Sequence, residues 1–146
     1  QELDYDLLIS IPTHRAPRVI LDAGLGDAQG WIDVDPGTLK MNGAENVYAI
    51  GDATNLHLKG VPKAGSTARY QSEIVAGNIL QELNGLRPNR IYDGKFFSLI
   101  ETGLEEASCI QFDYRMPPTP PPPSTLLYWF KLSFNELYWS AIRGIF

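Results

Sequence analysis

Six of the nine residues from Met116 to Ser124 (MPPTPPPPS) are proline, and no other stretch limits the fold as strongly. Proline locks φ and carries no backbone N–H, so this segment can join neither a helix nor the interior of a sheet. It reads as an extended polyproline-II spacer. An SH3 or WW ligand is the alternative, and the spacer is preferred because stiff proline-rich connectors commonly serve only to join two elements. The spacer sets residues 125–146 apart from the body that precedes it.

Those last residues alternate at a helical period. A helix over 125–146 places Leu127, Phe130, Phe134, Leu137, Tyr138, Ala141 and Ile145 on one face at about 100° per residue. The opposite side carries Lys131, Glu136 and Arg143, but also Tyr128, Trp129, Leu132 and Trp139. Two readings follow: a helix packed inside the molecule or a dimer, or an anchor lying in the headgroup layer of a membrane. The surplus of Trp and Tyr and the few charges favour the membrane surface, where amphipathic aromatics prefer to sit.

Along the body, Tyr5 to Ile11 (YDLLISI) is an apolar run ended by Pro12 and is expected to be a buried parallel strand. Short strands are also expected at 30–34 and 46–50, with a turn at Asp35-Pro36-Gly37 between them. From about Ala64 to Leu83, the residues Ala68, Ile74, Val75, Ile79, Leu80 and Leu83 recur at helical spacing, and Asn84-Gly85 supplies the stop. Segments 94–100 and 107–114 flank Thr102-Gly103-Leu104-Glu105-Glu106 and predict an antiparallel hairpin.

The 146 residues are 44% hydrophobic with a net charge of −5. That is enough to build a core, and the acidic balance offers no basic surface for nucleic acid. A single cysteine, Cys109, excludes a disulfide framework and a cysteine-rich zinc site. His14 and His57 have no partner pattern for metal or nucleophilic work. No apolar run reaches the roughly 20 residues that span a bilayer. The start at Gln1, without Met or a basic leader, reads as mid-protein.

Chemistry concentrates at Val47-Tyr48-Ala49-Ile50-Gly51-Asp52, where a strand runs into Gly-Asp. Open α/β sheets bind ligands at that edge. Gly51 lets a phosphate or ribityl chain come close, and Asp52 accepts from sugar-alcohol hydroxyls. The same pair also suits a plain turn with an Asp cap. Pro62-Lys63-Ala64-Gly65 then offers a cation, small residues and a helix N-terminus that could converge on one electron-rich ligand, while Lys63 reads equally as a solvated surface lysine. Cys109, between Ser108 and Ile110, reads as a packing residue.

Four stretches carry a resemblance: IPTHRAP at 11–17, GWIDVDPGTL at 30–39, NVYAIGDAT at 46–54 and PKAGSTARYQSEIVAGNI at 62–79. Together they resemble the sulfide:quinone oxidoreductases. The Ala-Ile-Gly-Asp element also occurs in flavocytochrome c sulfide dehydrogenase and type II NADH dehydrogenase. The resemblance runs on through Tyr92-Asp93-Gly94 and Ile100-Glu101-Thr102-Gly103 to the terminal helix.

It implies an α/β fold: the C-terminal half of a Rossmann-like FAD-binding domain at 1–85, then an α+β tail of hairpin, spacer and amphipathic helix at 86–146. The family's Gly-rich flavin fingerprint, its second nucleotide-like domain and two redox cysteines are not in this sequence, so a fragment with weak FAD binding is expected. Asp52 would contact the FAD ribityl chain, and Gly51, Lys63 and Ala64 complete the cofactor candidates. Phe97, Phe130 and Phe134 are the quinone candidates.

Where close relatives read Cys-Phe-Ile-Glu-Thr-Gly, this chain has Ser98-Leu99-Ile100-Glu101-Thr102-Gly103. A serine holds no sulfur bridge, so Ser98 marks the catalytic position at which the resemblance departs. The expected function is FAD-dependent electron transfer from sulfide or a related donor to quinone. A type II NADH:quinone reductase and a non-catalytic docking module are the alternatives. The expected setting is peripheral at the cell membrane, with a possible homo-oligomer.

Overall fold

The computed structural model describes residues 4–58 and 60–145. Among these residues it is a small α/β structure with three α-helices, α1 (Arg18–Asp22), α2 (Gly65–Leu83) and α3 (Thr125–Ile142). Four strands accompany them: β1 (Ile32–Asp33), β2 (Thr54–Asn55), β3 (Phe96–Gly103) and β4 (Glu106–Phe112). β1 and β2 pair in parallel, Ile32 opposite Thr54, while β3 and β4 form an antiparallel hairpin.

Asp35 makes the expected turn at Asp35-Pro36-Gly37. Its Oδ1 accepts from the Gly37 and Thr38 amides and from the Thr38 hydroxyl. These bonds hold its carboxyl below the usual range. The chain then doubles back, so that Val34 bridges Met41 and Lys40 bridges Tyr48. The expected strand at 46–50 is reduced to that bridge. Ile20, Ile32, Val34, Leu39, Ala49, Leu56, Val75 and Tyr92 close the core beneath α2.

The run Tyr5–Ile11 is not a strand. Its backbone has no ladder and its side chains are exposed, Ile9 at 87%. A strand needs a neighbour for its N–H and C=O groups, and among the described residues none lies beside this one.

The expected helix at 64–83 is α2, but the stripe it buries is largely polar: Thr67, Gln71, Val75 and Asn78, with Gly77. Leu80 and Leu83 are exposed. Each buried polar side chain serves a passing loop. Thr67 Oγ1 donates to Pro62 O, Gln71 accepts from Gly51 N–H, and Asn78 bonds both the N–H and the C=O of Arg90. A polar side chain survives burial on such terms.

Beyond α2, the hairpin and spacer pack as a tail. Ser108 Oγ donates to Pro121 O at 2.7 Å, so the proline run lies along β4. Ser124 bridges Ala107 and caps α3, accepting from Leu127 N–H. The face that α3 turns toward the hairpin differs from the expected one. Leu127, Tyr128, Lys131 and Leu132 are partly covered, whereas Phe130, Phe134, Leu137, Tyr138 and Ile145 are exposed. The capped entry from Ser124 and the Lys131–Glu101 ion pair set this rotation. No described helix is long and apolar enough to cross a membrane.

Candidate functional site

Two clefts flank the N-terminus of α2. Its N-cap, Ala64, has no side-chain oxygen to give, so the first-turn N–H groups receive no side-chain cap. The first cleft, about 280 Å³, is lined by Trp31, Gly51, Thr54, Lys63, Thr67 and Gln71, among others. The second, about 540 Å³, lies between α2, β3 and α3, with Ala64, Arg69, Phe97, Ser98, Phe134 and Tyr138 among its walls.

In the first cleft a turn of 3-10 helix, Gly51–Ala53, follows the short extended segment and leads into β2. Gly51 has φ +66°, and a Cβ there would lie 3.0 Å from the Ala68 Cβ. Both the left-handed backbone and the close approach to α2 call for glycine. Its N–H donates to Gln71 Oε1 at 2.6 Å, while Gln71 Nε2 is buried with no partner among the described residues. Asp52 is exposed at the outside of the turn.

Lys63 closes the same turn. Its Nζ donates to the carbonyls of Asp52 at 2.9 Å and Thr54 at 2.7 Å, and stands 3.9 Å from the centroid of the Trp31 ring. Burial lowers its pKa, opposed by the carboxylates of Asp52 and Asp27. The ammonium is thus tied to the turn and the Trp31 face while the Lys63 side chain stays exposed at the edge of the cleft.

The structure brings Gly51 and Lys63 into one cleft, and Ala64, Phe97, Ser98 and Phe134 into the other. Asp52 stands at the rim. Phe130 lines neither and is 51% exposed. Ser98 pairs with Ile110 across the hairpin, whereas Cys109 pairs with Leu99. Because neighbouring side chains on a strand point to opposite faces, Cys109 cannot take the place of a cysteine at 98.

Gln71, Trp31 and Arg69 are not marked as site residues by the sequence, and Tyr138 is marked only as part of the apolar face of the terminal helix. Gln71 had a signal: a glutamine among residues spaced to be buried on α2. Arg69 and Tyr138 meet across the second cleft, guanidinium carbon to ring centroid 5.8 Å, and sequence spacing does not bring them together.

An uncapped helix end, an ammonium and a buried unpartnered amide all suit a ligand rich in acceptor oxygens. These residues fit a flavin nucleotide. They do not form a metal centre, since no group of metal-ligating side chains occurs among the described residues.

No family model matches the chain. The mitochondrial sulfide:quinone oxidoreductase of Mus musculus is 32% identical over 116 residues, 80% of this chain and 25% of that protein. The Dictyostelium discoideum protein of the same name is 32% identical over 111 residues, 75% of this chain and 24% of its own length. That of Schizosaccharomyces pombe is 27% identical over 117 residues, covering 80% and 25%. The chain therefore spans about a quarter of the length of these relatives.

Among solved structures, a chain of the Tetrahymena thermophila mitochondrial ATP synthase, from a cryo-EM F1Fo composite tetramer, superposes with TM-score 0.59 and 27% identity. The match covers 68% of this chain and 23% of that one. On the residues they share, the chain is a relative of the sulfide:quinone oxidoreductases over about four fifths of its own length.

Proposed function

We propose that this chain is the C-terminal, flavin-contacting part of an FAD-dependent oxidoreductase that passes electrons from sulfide or a related donor to quinone. The observation that carries the reading is the juxtaposition of two clefts across one helix end: Gly51 and Lys63 on one side of α2, Phe97, Ser98 and Phe134 on the other. In this reading residues 1–85 belong to a Rossmann-like FAD domain and 86–146 form its tail. The activity for which the relatives are named supports this reading.

FAD would supply the two-electron carrier between donor and quinone. The chain's own residues bind and orient. Asp52 accepts from the ribityl hydroxyls, Gly51 allows close approach, and Lys63 holds the Asp52–Thr54 turn while adding positive potential. The free N–H groups after Ala64 favour negative charge, as in a reduced flavin anion. Phe97 and Phe134 supply an apolar wall for a quinone, with Phe130 at the approach. Ser98 brings a hydroxyl where a thiolate nucleophile would otherwise stand.

The exposed aromatic face of α3 suits peripheral docking at a lipid surface. The relatives are named as mitochondrial, which favours a mitochondrial setting over the cell membrane. A homo-oligomer is a further use of that face.

A second reading is a non-catalytic assembly module, favoured by Ser98 and by the likeness to a chain of the Tetrahymena ATP synthase. One anaerobic experiment on the full protein its gene encodes tests both. Sulfide should bleach the flavin absorption, and a soluble quinone should restore it. A flavin bleached only by NADH moves the protein to the NADH:quinone reductases. Absence of flavin, with co-migration alongside ATP synthase on a native gel, supports the assembly module.

A further inference from the structure

Gln71 occupies the floor of the first cleft, and its two ends are treated differently. It is fully buried, at 0% exposure, and its Oε1 accepts from Gly51 N–H at 2.6 Å. The amide orientation follows from chemistry, because the Gly51 N–H can be met only by an oxygen. That leaves Nε2, with two protons to donate, shut off from water and without a partner among the described residues.

The surrounding groups offer it little. The hydroxyls of Thr54 and Thr67 donate to Gly51 O and Pro62 O, and the Lys63 ammonium donates to the carbonyls of Asp52 and Thr54. The Tyr48 hydroxyl is the other buried orphan, but it sits beside the Lys40 and Glu82 head groups. Gln71 Nε2 has no hydrogen-bond partner among the described residues. An amide nitrogen can only donate, so what it lacks is an acceptor within reach among the described residues.

We propose that Gln71 is a positioning residue that holds the Gly51–Asp52 turn with its Oε1 and donates from Nε2 to a carbonyl or phosphate oxygen of the bound flavin nucleotide. Turn geometry and ligand recognition then run through one side chain. The proposal rests on the flavin reading above. It accounts for the end of the side chain that the bond to Gly51 leaves without a partner.

The test measures FAD affinity by quenching of flavin fluorescence, on the full protein its gene encodes. Gln71→Leu loses both bonds, and affinity should fall about tenfold or more. Gln71→Glu separates them. As a carboxylate it still accepts from Gly51 N–H but donates nothing and repels an oxygen. Once protonated it recovers a donor, and burial favours that neutral form.

The affinity of Gln71→Glu should therefore recover toward wild type as pH falls, while wild type stays level over the same range and the melting temperature of the flavin-free variant does not account for the change. Riboflavin and ADP serve as part-ligands. A Gln71→Leu effect on riboflavin assigns a ring carbonyl, and one on ADP assigns a phosphate.

Should Gln71→Leu fold poorly, NMR of the wild-type Gln71 side-chain amide provides the readout: its protons should shift and exchange more slowly when FAD binds. Unchanged amide signals on FAD binding, or FAD affinity in Gln71→Glu equal to wild type at high pH, would overturn the proposal. A wild-type protein that takes up no flavin removes the flavin reading as well, so the two failures are distinguishable.

Discussion

The rings of Tyr92 and Tyr114 meet edge to face, centroids 5.8 Å apart, where the end of the hairpin returns to the turn at 35–37. Tyr92 N–H donates to Gly37 O, and Tyr114 Oη donates to Pro36 O, so both residues clasp the turn at 35–37. Burial raises both phenols, Tyr114 to about 12 with help from the Asp93 and Asp35 charges, and Tyr92 higher still. An acid raised on folding keeps its proton in the native state while the unfolded chain has lost it. Stability is therefore full below the ordinary value of 10.0 and falls as pH rises from there toward about 12. Urea melts across that range should show the decline, and Tyr114→Phe should make it shallower while costing about 1 kcal/mol at neutral pH through the lost bond to Pro36.

Gly94 precedes the hairpin with φ +86°, and a Cβ there would come within 2.1 Å of Tyr114 Cδ1. Gly94→Ala combines left-handed strain with overlap against a ring held in place by Tyr92. A loss of about 2–4 kcal/mol is expected. Chemical denaturation measures it, and the double variant Gly94→Ala, Tyr114→Ala should lose less than the sum of the two single changes.

Lys63→Met leaves the Asp52 and Thr54 carbonyls without their charged donor and should cost about 1 kcal/mol near neutral pH. The pH dependence has a definite sign. Burial lowers the Lys63 pKa below 10.5, so between the lowered value and 10.5 the unfolded chain binds more protons than the native one. Wild type should gain stability relative to Lys63→Met as pH rises through that window. A constant difference would show that the ammonium is not desolvated.

Ser98→Cys puts a thiol on the second cleft, while Cys109 stays on the other face of the hairpin. In a Cys109→Ser background, Ser98→Cys should react with a disulfide reagent, and a bound quinone should slow that reaction. If quinone gives no protection, Ser98 does not border its site.

On α3, Trp129 and Trp139 are 59% and 56% exposed. If this face docks on lipid, changing both to Ser should weaken binding to cardiolipin-containing vesicles several-fold and leave the melting temperature within a few degrees. Equal vesicle binding by wild type and variant would remove the lipid role.

Much of this was legible along the chain. The period of α2, its Asn84-Gly85 stop, the hairpin around Gly103, the turn at Asp35 and the break imposed by the prolines all follow from preferences that act within a few residues. Ser124 adds a cap directly after the last proline. The candidate site was legible in its pieces, because Gly51-Asp52 and Lys63-Ala64 announce a turn and a helix start by residue type alone.

What the sequence determined by itself is which segments turn, coil or extend, since φ limits, hydrogen-bond donors and side-chain period belong to the chain locally. Tertiary structure decided which faces those segments cover. Tyr5–Ile11 has strand composition but, among the described residues, no neighbour to complete its hydrogen bonds. The polar stripe of α2 is buried because loops at Gly51, Pro62 and Arg90 need its side chains, and α3 rotates to the face that Ser124 and Lys131 fix. Burial depends on partners distant in sequence, and only the folded chain brings Gln71 to Gly51 and Ser98 to Phe134.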